Sequence, residues 1–278
     1  MTHHNIIELL TQDMKDEHAA IIQYLTHAYA MGEGELACEI EAIAREEMRH
    51  FDWLAETIVE LGGVPSIERG KMRMDGSSIA DFMQNDVLAE EGAIEQYEAH
   101  IKAIEDPKIK RLLERILSDE KAHRDKFVHF VEKARKHEAK DQRGGRQDEV
   151  TKVLDWGIEH EYTVVLQYLI HSYMVKNAEA KKELEDQAVN EMQHLGWLAE
   201  EMVSGGGTPR IEYSKVFHSP RFEENLEADI KIEREVADMY DKAAQKLKDP
   251  DLKKLLVRIR DHENYHEKVF KDLRGKDK

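Results

Sequence analysis

The pattern Glu-x-x-His occurs four times in this chain, at Glu47/His50, Glu120/His123, Glu191/His194 and Glu263/His266, and nowhere else. Each copy has a glutamate thirty residues upstream: Glu17, Glu90, Glu161 and Glu233. On an α-helix, residues three apart lie one turn from each other on the same face. Thirty residues take a chain about fifteen down one helix and fifteen back, roughly 22 Å each way at the helical rise. The two glutamates then return to one level of a bundle. Two Glu-x-x-His helices and two single-glutamate helices build one dinuclear metal site in a four-helix bundle. The set is present twice, so the expectation is an all-α chain of two tandem di-metal four-helix bundles.

The halves align over their length. Gln23-Tyr24-Leu25 matches Gln167-Tyr168-Leu169, and Trp53-Leu54-Ala55-Glu56 matches Trp197-Leu198-Ala199-Glu200, both at an offset of 144. Gly62-Gly63 and Pro65 match Gly206-Gly207 and Pro209. Beyond that turn the offset is 143, which pairs Tyr97 with Tyr240 and Asp106-Pro107 with Asp249-Pro250. The lost residue marks a loop, where length changes are tolerated. Glycine and proline punctuation predicts helices over 5–31, 35–61, 79–104 and 107–137, then 148–176, 179–203, 220–247 and 250–272. The stretch from Gly62 to Ser78 is long enough to cross a bundle, so helices two and three of each half run parallel. Domains are expected at 1–140 and 148–278, with the polar, glycine-bearing segment 141–146 as linker.

Bulk composition agrees. The chain has 278 residues, 41% hydrophobic and 36% charged, with five prolines, which suits long amphipathic helices rather than sheets. Its single cysteine, Cys38, excludes an internal disulfide and a CxxC iron–sulfur module, and a reducing cytoplasm is the expected compartment. A formal net charge of −17 argues against a nucleic-acid partner and suits drawing in cations. No apolar stretch reaches the length of a membrane span. The N-terminus lacks the basic-then-apolar order of a secretory signal.

The charge arithmetic of each set closes. Four carboxylates carry −4 and two divalent cations +4, whereas four buried glutamates alone would repel one another and suffer desolvation. Carboxylate with imidazole suits iron or manganese and is compatible with zinc. Glu90 and Glu91 are adjacent candidates. The second half has Glu233 followed by Arg234 in the matching places, which favours Glu90. Any one Glu-x-x-His on a charged helix is ordinarily solvated surface. Four copies with equally spaced partners are not explained that way.

With these residues placed, the chain resembles the ferritin-like superfamily and, within it, bacterioferritin. The resembling segments are Glu17-His18-Ala19-Ala20-Ile21-Ile22-Gln23-Tyr24-Leu25, Glu46-Glu47-Met48-Arg49-His50 and Asp119-Glu120-Lys121-Ala122-His123. In the second half they are Glu161-Tyr162-Thr163-Val164-Val165-Leu166-Gln167-Tyr168-Leu169, Asn190-Glu191-Met192-Gln193-His194 and Glu263-Asn264-Tyr265-His266. The resemblance implies that Glu47 and Glu120 bridge two irons. It makes Glu17 and Glu90 terminal carboxylates, and His50 and His123 one ligand to each iron. Glu191 and Glu263 would bridge the second pair, completed by Glu161, Glu233, His194 and His266. Tyr24 and Tyr168 would stand beside the iron pairs; the alternative is two ordinary core tyrosines, and Tyr97 and Tyr240 read more readily that way. Asp119 would orient a ligand histidine, and His262 replaces it in the second half. Met48 and Met192 sit where bacterioferritins place a haem-ligating methionine, so the paired halves could hold one haem as two subunits do; the alternative is packing at the seam. His27 and His171 also match and read as packing between halves.

Two features depart from the resemblance. The chain stops soon after the fourth helix of the second half, where bacterioferritin-type cages use a short fifth helix, so a mineral-storing cage is not expected. Rubrerythrin-type sites add a glutamate in the third helix, but Ala93 and Val236 occupy those places. The implied activity is oxidation of Fe(II) by dioxygen or peroxide, a ferroxidase. The alternatives are a di-manganese catalase or peroxidase, a protein that sequesters metal without turnover, and a purely structural helical module. The halves are expected to pack as a pseudo-dimer along their first two helices.

Overall fold

The computed structural model describes residues 2–32, 34–136 and 149–276. The chain forms two compact units, Met1–Arg143 and Gly144–Lys278. Unit one contains α1 (His3–Met31), α2 (Glu35–Glu60), α3 (Ile79–Ala103) and α4 (Pro107–Lys136). Unit two contains α5 (Glu149–Met174), α6 (Ala178–Ser204), α7 (Phe222–Lys246) and α8 (Pro250–Lys276). No strand occurs among the described residues. The expected linker, 141–146, lies outside them.

Local chemistry sets the ends. Thr2 caps α1 through the Asn5 amide. Ser78 and Asp81 form a reciprocal capping box on α3. The Asn177 side chain accepts from the Glu179 and Ala180 amides. Pro107 and Pro250 open α4 and α8, where a missing N–H costs nothing. Asp106 and Asp249 just before them accept from the next amides: Lys108 and Ile109 in one unit, Asp251 and Leu252 in the other. Gly62 and Gly206 follow α2 and α6 at φ 83° and 78°, a backbone region that favours glycine.

Cross-helix contacts fix the directions. Along α1 and α3, His27 meets Asp86, Tyr24 meets Glu90, and Asp13 meets His100, so these helices are antiparallel. Along α2 and α4, Lys133 pairs with Glu39, His123 with Glu46 and Lys108 with Glu60, again antiparallel. The short turn after α1 reverses the chain, so α2 and α3 run parallel, joined by the crossover. That crossover lies along α1: the Gly70 amide donates to the Lys15 carbonyl at 2.8 Å and the Arg73 amide to Gln23 Oε1 at 2.6 Å. Unit two repeats the arrangement, with the Phe217 amide on Gln167 Oε1 at 3.0 Å. The matched Gln-Tyr-Leu segments thus each carry an amide that holds a crossover.

Apolar side chains fill the space between helices. Leu10, Ile22, Ile40, Leu54, Met83, Leu113 and Phe127 are buried in unit one, and Tyr168, Leu184, Leu226, Ile230 and Phe270 pack together in unit two. The matched tryptophans lie under guanidinium groups, Arg115 over Trp53 at 4.2 Å and Arg258 over Trp197 at 4.1 Å. That stacking gives each matched tryptophan a cation–π partner, and the same rings lie 5.8 and 5.6 Å from the rings of His50 and His194.

Candidate metal centres

All twelve expected ligand side chains are buried. The helical repeat turns each Glu-x-x-His inward from α2, α4, α6 and α8, and α1, α3, α5 and α7 each add one glutamate. In unit one, Glu17, Glu47, His50 and Glu120 bring ligand atoms within 4.8 Å of one another, and so do Glu47, Glu90, Glu120 and His123. Glu47 and Glu120 belong to both groups. Unit two repeats this with Glu161, Glu191, His194 and Glu263, and with Glu191, Glu233, Glu263 and His266, sharing Glu191 and Glu263. His50 Nδ1 lies 2.8 Å from Glu47 and 2.9 Å from Glu120, while His123 Nδ1 lies 2.9 Å from Glu47 and 3.8 Å from Glu120. His194 Nδ1 lies 2.8 Å from Glu191 and 3.1 Å from Glu263; for His266 Nδ1 the distances are 2.7 and 3.7 Å. The imidazole rings stand 5.9 Å apart in each unit. Glu90 is buried and belongs to the cluster, whereas Glu91 is exposed.

A model of the ferritin-like domain matches residues 7–137 and again residues 152–278. The chain belongs to the ferritin-like family. It carries the family's bundle twice. Among curated relatives, bacterioferritin of Desulfovibrio desulfuricans is 35% identical over 124 residues, spanning 42% of this chain and 69% of that protein. Bacterioferritin of Streptomyces coelicolor is 32% identical over 126 residues, 43% of this chain and 75% of the relative. A solved structure of the Desulfovibrio desulfuricans bacterioferritin is 31% identical, covers 48% of this chain and 82% of its own, and superposes with a TM-score of 0.46.

Around this ferritin-like core, tyrosines hold the single glutamates. Tyr24 Oη donates to Glu90 Oε1 at 2.6 Å, and Tyr168 donates to Glu233 in the same way. Tyr97 donates to Glu17 and Tyr240 to Glu161. The sequence favoured ordinary core packing for this second pair; the structure gives them the same work as the first. Outside the clusters, His50 Nε2 lies 3.4 Å from Asp119, as expected of that aspartate, and His194 Nε2 lies 2.9 Å from His262 Nδ1. His123 Nε2 lies 2.6 Å from Glu46, a partner the sequence reading missed. The Glu46/Asn190 mismatch between halves was the available signal.

His27 and His171, expected to pack between the halves, each meet an aspartate within their own unit. Each is buried, with Nδ1 2.8 Å from Asp86 and 2.9 Å from Asp229 respectively. Gln23 and Gln167 donate to the same aspartates at 2.8 Å. Met48 and Met192 are each partly buried, on α2 and α6.

Burial, followed by the charges of Glu120 and Glu47, pushes the Glu17 and Glu90 carboxyls well above the usual carboxylate range. Burial and then Glu263 do the same to Glu161 and Glu233. Glu47 and Glu191 go the other way: burial opposes their charge, but the two imidazoles beside each hold it low. The histidines are driven up although burial disfavours their charge. The neighbouring carboxylates of Glu120 and Glu47 push His123 up to about 11, and that of Glu191 pushes His266 up to about 9. Protons and cations therefore compete for one set of atoms.

The donor set fits a pair of cations. Glu47 Oε1 and His123 Nδ1 are 2.9 Å apart, yet both are buried and make no aligned hydrogen bond; Glu191 Oε1 and His266 Nδ1 repeat this at 2.7 Å. Glu90 Oε2, Glu120 Oε1, Glu233 Oε2 and Glu263 Oε1 are orphaned as well. Buried polar atoms are ordinarily satisfied, and lone pairs that converge without facing one another suit metal coordination. No helix among the described residues is long and apolar enough to cross a membrane.

Proposed function

We propose that each cluster holds two iron ions and that the chain is a ferroxidase, oxidising Fe(II) with dioxygen or peroxide. The observation that carries this reading is the sharing of Glu47 and Glu120, and of Glu191 and Glu263, between two four-donor groups. Shared in this way, Glu47 and Glu120 would hold both irons, and Glu17 with His50, and Glu90 with His123, would each complete one of them in the first centre. Glu161 with His194, and Glu233 with His266, would do the same in the second. The ferritin-like domain in each half, and the similarity of 42% of this chain to a bacterioferritin, support iron as the metal. When bound, an iron pair supplies the two electrons needed to reduce the oxidant.

The chain's own groups prepare that step. Tyr24, Tyr97, Tyr168 and Tyr240 each fix one oxygen of a terminal glutamate, leaving the other for the cation. The apolar shell excludes water and strengthens every charge interaction inside it. The proposal includes independent domains at 1–140 and 148–278, a cytoplasmic setting and pairing of the halves as a pseudo-dimer. A haem between Met48 and Met192 rests on their matched sequence positions. A Soret band in haem-supplied protein, lost in Met48→Ala and Met192→Ala, supports it, and no band retires it.

The test is to add Fe(II) to chelator-treated protein without air and then admit dioxygen or peroxide. Rapid, substoichiometric-oxidant formation of Fe(III) absorbance supports the ferroxidase. Uptake without oxidation leaves a sequestering protein. Sustained peroxide dismutation by manganese-loaded protein points to a catalase instead.

A further inference from the structure

The two clusters differ in what stands behind their imidazoles. In unit one both outer nitrogens face carboxylates: His123 Nε2 lies 2.6 Å from Glu46 and His50 Nε2 lies 3.4 Å from Asp119. In unit two the matching residues are Asn190 and His262. His194 Nε2 lies 2.9 Å from His262 Nδ1, and the Asn190 amide donates to Gln187 Oε1 at 3.0 Å. All four inner nitrogens, Nδ1, face their clusters. With Nδ1 free to bind a cation, Nε2 carries the ring proton and donates outward. In unit one the acceptor is an anion. In unit two it is a neutral imidazole for His194, and the residue matching Glu46 is an uncharged amide.

An anionic acceptor makes the imidazole a stronger donor to the metal and adds negative charge a few ångströms away. Both differences act in the same direction. We propose that the two centres are unequal: Glu46 and Asp119 make the first the tight divalent-cation centre, and Asn190 and His262 leave the second the weak one. This rests on the reading of both clusters as metal centres. Outer partners of this kind are each worth about 10–100-fold in affinity, so the gap is expected to be at least about tenfold.

Titration of the full, chelator-treated chain with Mn(II) tests this, with free Mn(II) followed by electron paramagnetic resonance and heat by calorimetry. Two affinity classes are expected. The tight class disappears in Glu47→Gln/Glu120→Gln and the weak class in Glu191→Gln/Glu263→Gln. Exchange at the outer positions guards against misfolding, since Asp119 and Glu46 are 41% and 35% exposed. His262→Asp with Asn190→Glu should tighten the second centre at least about tenfold, a gain that damage to the fold does not produce. Asp119→His with Glu46→Asn should weaken the first. A single class of sites, or loss of the tight class with Glu191 and Glu263, overturns the inequality alone. No Mn(II) uptake removes the metal-centre reading and the inequality with it.

Discussion

Tyr24 Oη lies 2.6 Å from Glu90 Oε1, joining α1 to α3 at the level of the first cluster. Both groups are buried, so the hydroxyl fixes which oxygen of Glu90 turns toward the neighbouring carboxylates. Tyr24→Phe should keep the fold and remove that control. Fe(II) oxidation at the first centre is expected to slow by about tenfold or more. Stopped-flow absorbance in a Glu191→Gln background isolates it, and an unchanged rate would make Tyr24 a packing residue only.

Glu47→Ala removes a carboxylate shared by both donor groups of unit one. Rapid oxidation at that centre should vanish while the second persists, halving the fast phase. Iron oxidised per chain in the first turnover is the measurement. Loss of both phases in a protein that retains its helical circular dichroism would refute the independence of the two centres.

Metal uptake should expel protons and weaken in acid. Glu17 and Glu90 are held above the carboxylate range, and His123 and His266 at about 11 and 9, so cations displace protons at neutral pH. Mn(II) added in dilute buffer at neutral pH should acidify the solution, and its affinity should rise with pH. No proton release would exclude the competition.

The same shifts set the stability of chelator-treated protein. A histidine whose folded pKa is raised stabilises fully below its ordinary value, about 6.5, and loses that contribution as pH rises through the folded value. For His266 and His123 the window runs upward to about 9 and about 11. Raised Glu17 and Glu90 act with the same sign. Thermal midpoints without metal should therefore fall from neutral to alkaline pH, and bound metal should reverse the trend. A flat profile by calorimetry would contradict it.

Asp86 receives both His27 and Gln23 while fully buried. Asp86→Ala strands both donors and should cost about 3–5 kcal/mol, the range for breaking a buried pair on one side. Adding His27→Ala should recover part of the loss. Urea denaturation of the single and double variants measures it, and additive losses would show that the pair is not coupled.

The helices and the twelve side chains that gather in the two clusters were legible in the sequence because both depend on period alone. Expected ends at 35–61 and 107–137 compare with Glu35–Glu60 and Pro107–Lys136. What escaped depends on which distant side chains meet. Glu46 touches His123 from 77 residues away, and Asp86 touches His27 from 59. No local spacing announces either contact. Comparing the halves position by position raises Asp86 and Asp229 beside His27 and His171, a shared pair that packing between halves does not require. The Tyr97 hydroxyl crosses from α3 to Glu17 on α1, a contact that spacing within one helix does not announce.

Carrying both bundles on one polypeptide has a genetic consequence. In an assembly of identical subunits every mutation strikes all copies at once, so no copy can specialise. Here codons 46 and 119 can drift apart from codons 190 and 262, as they already have. Fusion thus lets two copies of one bundle differ within a single molecule.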